Sequence, residues 1–388
     1  MSAVQRVIAA CRRVLPAACV LALAAAAPLP AQQPPAAPSP SPAQPAPPAQ
    51  PPPPARPSVD AAGTVTSAGS VTVPVSDLLS PQARTQLAGR LRAPPPVPAG
   101  AGIEAARRAS DEAAKLVLDQ WLVIHPAQVV STMIGGVRTD IVTPAAGIDP
   151  RNRGRVLIGA HMGGFMSGGR YGGALEAVPL AGRGRIKVIA VDYRLSPENL
   201  FPAASEDMEK VYREVLKTTR PERIGIFGCS AGGTLVAQSM AWFLQRKLPL
   251  PGAIGIFCSG AMPTFWWGGD STWLSPLLNA SLPSGPARPP NAPRSYFEGI
   301  DTNQPLVTPG LFPEVLARFP PTLVVTGTRD VAMSNAIVTH ARLLQAGVDA
   351  RLYVQEGLGH GHFFAFPGTP ESEAAYDVIW TFFDDHLK

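Results

Sequence analysis

Residues 228–233 read Gly-Cys-Ser-Ala-Gly-Gly, between the apolar run RIGIF and the helix-forming run TLVAQSM. This sets Ser230 in the pattern G-x-S-x-G, at the join of a strand-like and a helix-like segment. That is the context of a sharp strand–turn–helix corner that lifts a hydroxyl above a sheet. A serine hydroxyl is a weak nucleophile near neutral pH and needs a base, which in turn needs an orienting carboxylate. The chain has six histidines. His125 precedes the main strand-like runs, His340 lies within a helical run and His386 is two residues from the end. His360 and His362 lie in EGLGHGHFF, just after the last strand-like run, and Asp330 closes TLVVTGTRD, just after the preceding one. His360, nearer the strand end, is the expected base. His362 could replace it by a shift in register, and Asp330 could simply cap the helix that follows it.

Acyl transfer also needs donors for the oxygen that becomes negative. HMGGF, residues 161–165, follows the apolar run RVLIGA. Gly163 and Gly164 would let backbone N–H groups approach that oxygen, and the N–H of Ala231 would add a third donor. A phosphate-cradling loop is the alternative for these glycines, but no Lys-Ser/Thr pair follows and no G-x-G-x-x-G is present.

Positioning these groups requires a particular order of elements. AQVVSTMI and VRTDIVTP flank Gly-Gly and predict a hairpin. RVLIGA, IKVIAVDY, RIGIFG, GAIGIFCSG, TLVVTG and ARLYVQEG are short apolar runs rich in branched residues, as strands buried on both faces should be. Helical patterns over 171–182, 203–218, 231–246, 332–346 and 371–387 alternate with them. The alternation predicts an α/β protein with a mostly parallel central sheet, helices on both faces and an antiparallel edge from the opening hairpin. Two segments fall outside it. Residues 76–125 are amphipathic and helical in pattern. Residues 262–310 are rich in proline, glycine and tryptophan and include FWWGGDSTW. Both are expected over the end of the sheet as a lid, and the tryptophans could line an apolar pocket or only pack the lid.

The first 75 residues read differently. Arg6, Arg12 and Arg13 precede the apolar stretch VLPAACVLALAAAA and small residues, the pattern of a secretory signal over 1–31. An uncleaved anchor is the competing reading. Residues 28–57 hold 15 of the 45 prolines, so 32–75 reads as an extended, disordered linker, leaving 76–388 as the folded domain. The formal charge of +5 includes the three signal arginines, and no lysine–arginine run interleaved with aromatics points to nucleic acid. Cys11 and Cys19 lie in the signal. Cys229 and Cys258 lie in apolar strand ends and read as buried thiols, with a disulfide as the lesser alternative.

The motifs HMGGF, DYRLSPENLFPAASED, GCSAGG, GTRD and EGLGHGHFF, in this order, resemble those of the hormone-sensitive-lipase-like esterases. These are the bacterial family IV carboxylesterases of the α/β-hydrolase fold, and the likeness spans roughly residues 110–388. The resemblance implies Ser230 as nucleophile, Asp330 as acid, His360 as base, and Gly163, Gly164 and Ala231 as oxyanion donors. It gives His161 a structural role and makes Asp192, Arg194 and Glu198 a buried polar scaffold, for which packing alone is the alternative. It places the lid at about 76–125. Met162 stands where the family has glycine, Cys229 where it has an acid, and DVAM where it has DPL.

The activity implied is hydrolysis of short- or medium-chain carboxylic esters, with no cofactor and no metal, in a periplasmic or secreted protein. The partner is a small-molecule ester. Nucleic acid and stable membrane insertion are not expected, and a homodimer is left open. Lactone hydrolysis, an amidase or peptidase on the same fold, and a non-catalytic small-molecule binder are the competing readings.

Overall fold

In the computed structural model, residues 58–61, 65–67, 69, 71–93, 102–262, 269–279 and 295–388 are described. The signal at 1–31, most of the linker, and FWW at 265–267 lie outside them. The chain divides into two compact units at Val71/Thr72. In the first, β1 (Ser58–Val59) pairs antiparallel with β2 (Val65–Thr66).

The second unit is built on one eight-stranded sheet. Its strands are β3 (Ala127–Ile134), β4 (Val137–Pro144), β5 (Val156–Ala160), β6 (Lys187–Val191), β7 (Ile224–Cys229), β8 (Ala253–Phe257), β9 (Thr322–Gly327) and β10 (Ala350–Gln355). Their order across the sheet is β10-β9-β8-β7-β5-β6-β4-β3. Only β4 runs against its neighbours. Gly135 and Gly136, at φ 58° and 78°, make the two-residue turn of the β3–β4 hairpin, where glycine adopts the left-handed conformation at little steric cost.

The helices are α1 (Pro81–Arg92), α2 (Ile103–Ile124), α3 (Gly172–Gly184), α4 (Ala203–Leu216), α5 (Ala231–Gln245), α6 (Asp270–Leu278), α7 (Pro313–Leu316), α8 (Met333–Gln345), α9 (His362–Ala365) and α10 (Pro370–His386). The predicted helices α3, α4, α5, α8 and α10 lie within two residues of their expected bounds. α1 begins on a cap whose Ser80 Oγ accepts from Ala83 N at 3.1 Å, followed by Pro81.

Side chains alternate across the strands, so each face has its own core. Ile158, Ile226, Ile256 and Val324 pack under α4, α5 and α8. Leu157, Phe227, Phe257 and Leu323 pack under α2, α3 and α10. Trp121 of α2 is fully buried in the second core and donates Nε1–H to Phe364 O at 2.8 Å.

The two predicted lid helices part company. Leu79, just before α1, and Ala83 and Leu87 of α1 pack on Leu358 and Phe366, beside the loop that carries His360. The C-terminal half of α2 belongs instead to the layer over the sheet face, because Ala114, Leu118 and Trp121 fall on its buried stripe.

Candidate active site

Parallel strands β5 and β7 are adjacent, with Ala160 opposite Gly228, so the turns that follow them emerge side by side. Chain order reverses at this point of the sheet, where a crevice forms at the strands' carboxyl ends. After β7 the chain turns at Ser230, whose φ of 59° and ψ of −122° are strained for a residue with a Cβ. Two glycines make the turn sterically feasible. A Cβ on Gly228 would lie 2.5 Å from Ala160 O, and one on Gly232 would lie 2.0 Å from it. Ser230 N donates to Phe257 O at 2.8 Å, fixing the corner to β8, and Thr234 N closes the first helical turn on Ser230 O at 3.0 Å.

The loop after β5 is wound tightly. Gly163 and Gly164 have φ of 116° and 63°, and Gly163 O accepts from Met166 N and Ser167 N, both at 3.0 Å. Among the described residues, the N–H groups of Gly163, Gly164 and Ala231 have no protein acceptor. Three donors are therefore left for a ligand, each from a residue singled out in the sequence. His161 stacks on Tyr193 at 4.1 Å and 4°, and the Tyr193 hydroxyl donates to His161 O at 2.7 Å. Burial holds the His161 pKa down at about 4, against the opposing hydrogen bond of Nδ1 with Met162 O at 2.6 Å. His161 is a neutral part of the scaffold.

Asp330 and His360 meet. His360 Nδ1 lies 2.7 Å from Asp330 Oδ1, which also accepts from Ala332 N at 2.9 Å, and Oδ2 accepts from Thr326 Oγ1 at 3.0 Å. Burial alone would raise the Asp330 pKa, but His360, Ala332 and Thr326 together lower it. Asp330 stays a carboxylate despite its full burial. A carboxylate has no proton to give, so Nδ1 of His360 carries the hydrogen of this bond. Asp330 also serves the chain locally, by accepting from Ala332 just ahead of α8; the two roles coexist.

Cys258 joins this pair to the serine corner. It follows Phe257, the acceptor for Ser230 N, and its Sγ accepts from Gly361 N at 3.2 Å. Ligand-type atoms of Cys258, Asp330 and His360 lie within 4.8 Å of one another, the one such three-residue group among the described residues. Cys229 and Cys258 are both buried free thiols.

His362 does not approach Asp330 in the same way. Its Nδ1 faces Gly359 O at 2.8 Å and its Nε2 contacts Gln355 Oε1, so it pins the turn after β10. His340 and His386 serve the edge around Asp349 and Ala350.

A cavity of about 350 Å³ opens beside His360, lined in part by Leu87, Arg90, Ser275, Asn279, Val331 and Phe366. α6, which lines it through Ser275 and Pro276, is tied to the loop after β9 by Ser275 Oγ donating to Arg329 O at 2.7 Å. Trp273 of FWWGGDSTW points outward and is 57% exposed.

The second motif differs from expectation. Asp192, Arg194 and Glu198 are partly or largely exposed, and each belongs to a different ion pair, with Arg138, with Glu206 and Asp207, and with Arg107. The buried member of this region is Asp207, whose side chain is 3% exposed. Sequence reading missed Arg107. Its guanidinium forks onto Glu198 at 2.8 and 2.7 Å and also donates to Met166 O and Ser196 O, at 2.8 and 2.9 Å. Those bonds clamp the loop after β5 from outside. Sequence reading also missed Glu176, on the buried face of α3. Neither residue lies in a local motif that could have signalled it.

Comparisons with known proteins bear on the family and the fold. Residues 157–364 match a family described as alpha/beta hydrolase fold. An acetyl-hydrolase from Streptomyces hygroscopicus is 27% identical over 260 residues, covering 67% of this chain and 83% of the relative. The carboxylesterase/phospholipase LipF of Mycobacterium tuberculosis is 26% identical over 251 residues, and the match spans 62% of its length. A crystal structure of an esterase superposes with a TM-score of 0.71 at 28% identity, over 83% of this chain and 99% of that one. An esterase from the bacterial hormone-sensitive lipase family shares the fold, with a TM-score of 0.66 at 23% identity. The chain belongs to the alpha/beta hydrolase fold family.

Proposed function

We propose that this protein is a carboxylesterase that works by acyl transfer through Ser230, His360 and Asp330. In this reading Ser230 Oγ adds to the ester carbonyl while His360 Nε2 takes its proton. The carbonyl oxygen becomes negative where the N–H groups of Gly163, Gly164 and Ala231 are unpaired. His360 then returns the proton to the departing alkoxide, which leaves as the alcohol. Water, deprotonated by the same imidazole, attacks the acyl-serine, the bond to Ser230 Oγ breaks as the imidazolium returns the proton to that oxygen, and the acid is released. Asp330 keeps the imidazole in the tautomer with Nδ1–H and stabilises the imidazolium formed in each half-reaction.

The observation that carries the reading is the 2.7 Å contact of His360 with a fully buried carboxylate, on the loop tied through Cys258 to the strained Ser230 corner. Hydrolysis of a p-nitrophenyl ester series, set against aminoacyl amides, tests the reaction. Ester turnover and fluorophosphonate labelling should both vanish in S230A. A folded protein that never labels would overturn the reading in favour of a binder. The pattern at 1–31 supports export to the periplasm or beyond, and the mass of the protein recovered from the periplasmic fraction would check it.

A further inference from the structure

We propose that Glu176 is a positioning residue that fixes the oxyanion loop and the serine corner relative to each other through one carboxyl group. This rests on the esterase reading above. Glu176 lies on α3, outside both loops, and is 3% exposed. Its Oε1 accepts from Met162 N at 2.9 Å, one residue before the first oxyanion glycine. Its Oε2 accepts from Cys229 N at 3.1 Å, one residue before Ser230. A single side chain thus spans the two segments that must hold a fixed separation for Gly163 and Gly164 to face the carbonyl that Ser230 attacks. Rate depends steeply on such placement.

Burying a carboxyl group with no cation beside it is unfavourable, yet both of its oxygens face backbone N–H donors, which a carboxylate accepts from and a neutral amide or hydroxyl cannot match at both ends. The titratable groups that face Glu176 are Tyr193, Tyr376, Cys229 and Cys258, with His161 adjoining Met162. Burial raises the pKa of the two phenols and two thiols and lowers that of His161, so all five remain neutral around pH 7–8. None supplies a counter-charge. Desolvation raises the Glu176 pKa to about 8, against the two backbone N–H bonds.

The consequence for the clamp follows from donor and acceptor capacity. As a carboxylate, Glu176 accepts with both oxygens. As a neutral acid, it turns one oxygen into a hydroxyl, which is a poorer acceptor and has its own proton to place. The clamp is therefore tightest above about pH 8, and turnover should rise as pH passes through that value.

The test compares wild type with E176Q. In E176Q an amide NH₂ would oppose one of the two backbone N–H groups, donor against donor. The expected result is a fall in kcat of about tenfold to a hundredfold with KM within about twofold. The wild-type rise in kcat near pH 8 should disappear in E176Q. An unchanged kcat and pH profile would overturn the proposal. So would a lowered melting temperature with the rise near pH 8 intact, which would leave Glu176 only structural. Should E176Q fail to fold, the wild-type profile decides: no inflection near pH 8 overturns the proposal. Wild type that neither turns over esters nor reacts with fluorophosphonate would remove the esterase reading itself, whereas an active wild type with an indifferent E176Q removes only the role of Glu176.

Discussion

Thr326 donates its hydroxyl to Asp330 Oδ2 at 3.0 Å while His360 occupies Oδ1, so the last turn of β9 supports the carboxylate from the side away from the imidazole. T326V keeps the shape and removes the donor. It should reduce kcat/KM about ten- to a hundredfold, since a hydrogen bond to a charged group contributes roughly 1.5–3 kcal/mol. The Asp330 pKa is lowered in the folded protein. The stability this gives is present above the ordinary carboxylate pKa and is lost as pH falls through the folded value. In T326V the folded pKa lies closer to the unfolded one, so less stability should be lost on acidification, read by urea unfolding across pH 3–6.

G232A should break the serine corner. The added methyl would sit 2.0 Å from Ala160 O and 2.8 Å from His161 O, both backbone atoms of the neighbouring segment. Overpacking of this kind costs about 1–3 kcal/mol when the surroundings can shift. Here the shift would move the oxyanion loop. Denaturant unfolding should show the destabilisation, and fluorophosphonate labelling should fall at least a hundredfold.

His161 should make the protein acid-sensitive. Its folded pKa is lowered to about 4 by burial, against roughly 6.5 in the unfolded chain. The unfolded state therefore binds the proton first, and stability falls as pH drops from about 6.5 toward 4, by up to roughly 1.4 kcal/mol per pH unit. Urea midpoints between pH 7 and 4.5 should fall less steeply in H161F than in wild type. Equal slopes would show that His161 is not buried as a neutral ring.

R107K should loosen the oxyanion loop from outside. Lysine cannot fork onto Glu198 and also reach Met166 O and Ser196 O, as the planar guanidinium does. A loss of about three- to tenfold in kcat/KM is the expected outcome. E198Q should lose less, because the two carbonyl contacts survive it. Steady-state kinetics on one ester would separate the two.

Much of this architecture is legible along the chain. Runs such as RIGIFG and TLVVTG are buried on both faces, and this continuous apolar character makes parallel strands readable without tertiary information. The same holds for Asp330 and His360, which each sit directly after such a run. Glu176 is different. Its two partners lie 14 and 53 residues away, and only the adjacency of β5 and β7 brings them to one carboxyl group. Arg107 reaches Glu198 across 91 residues, which no local pattern announces. The motif around Asp192, Arg194 and Glu198 was legible as polar but not as exposed. Its burial depends on the chain packed outside it, and there Asp207 occupies the sheltered position.

The pairing of Ala160 with Gly228 has a consequence for how competence is acquired. The Gly163–Gly164 turn and the serine turn are contributed by strands that meet only after the β6 crossover has returned to the middle of the sheet. A nascent chain or a proteolytic fragment lacking either strand would hold all the residues of one turn and still be inert. Reactivity toward an active-site label would then report completion of the sheet's centre, ahead of any spectroscopic measure of helix content.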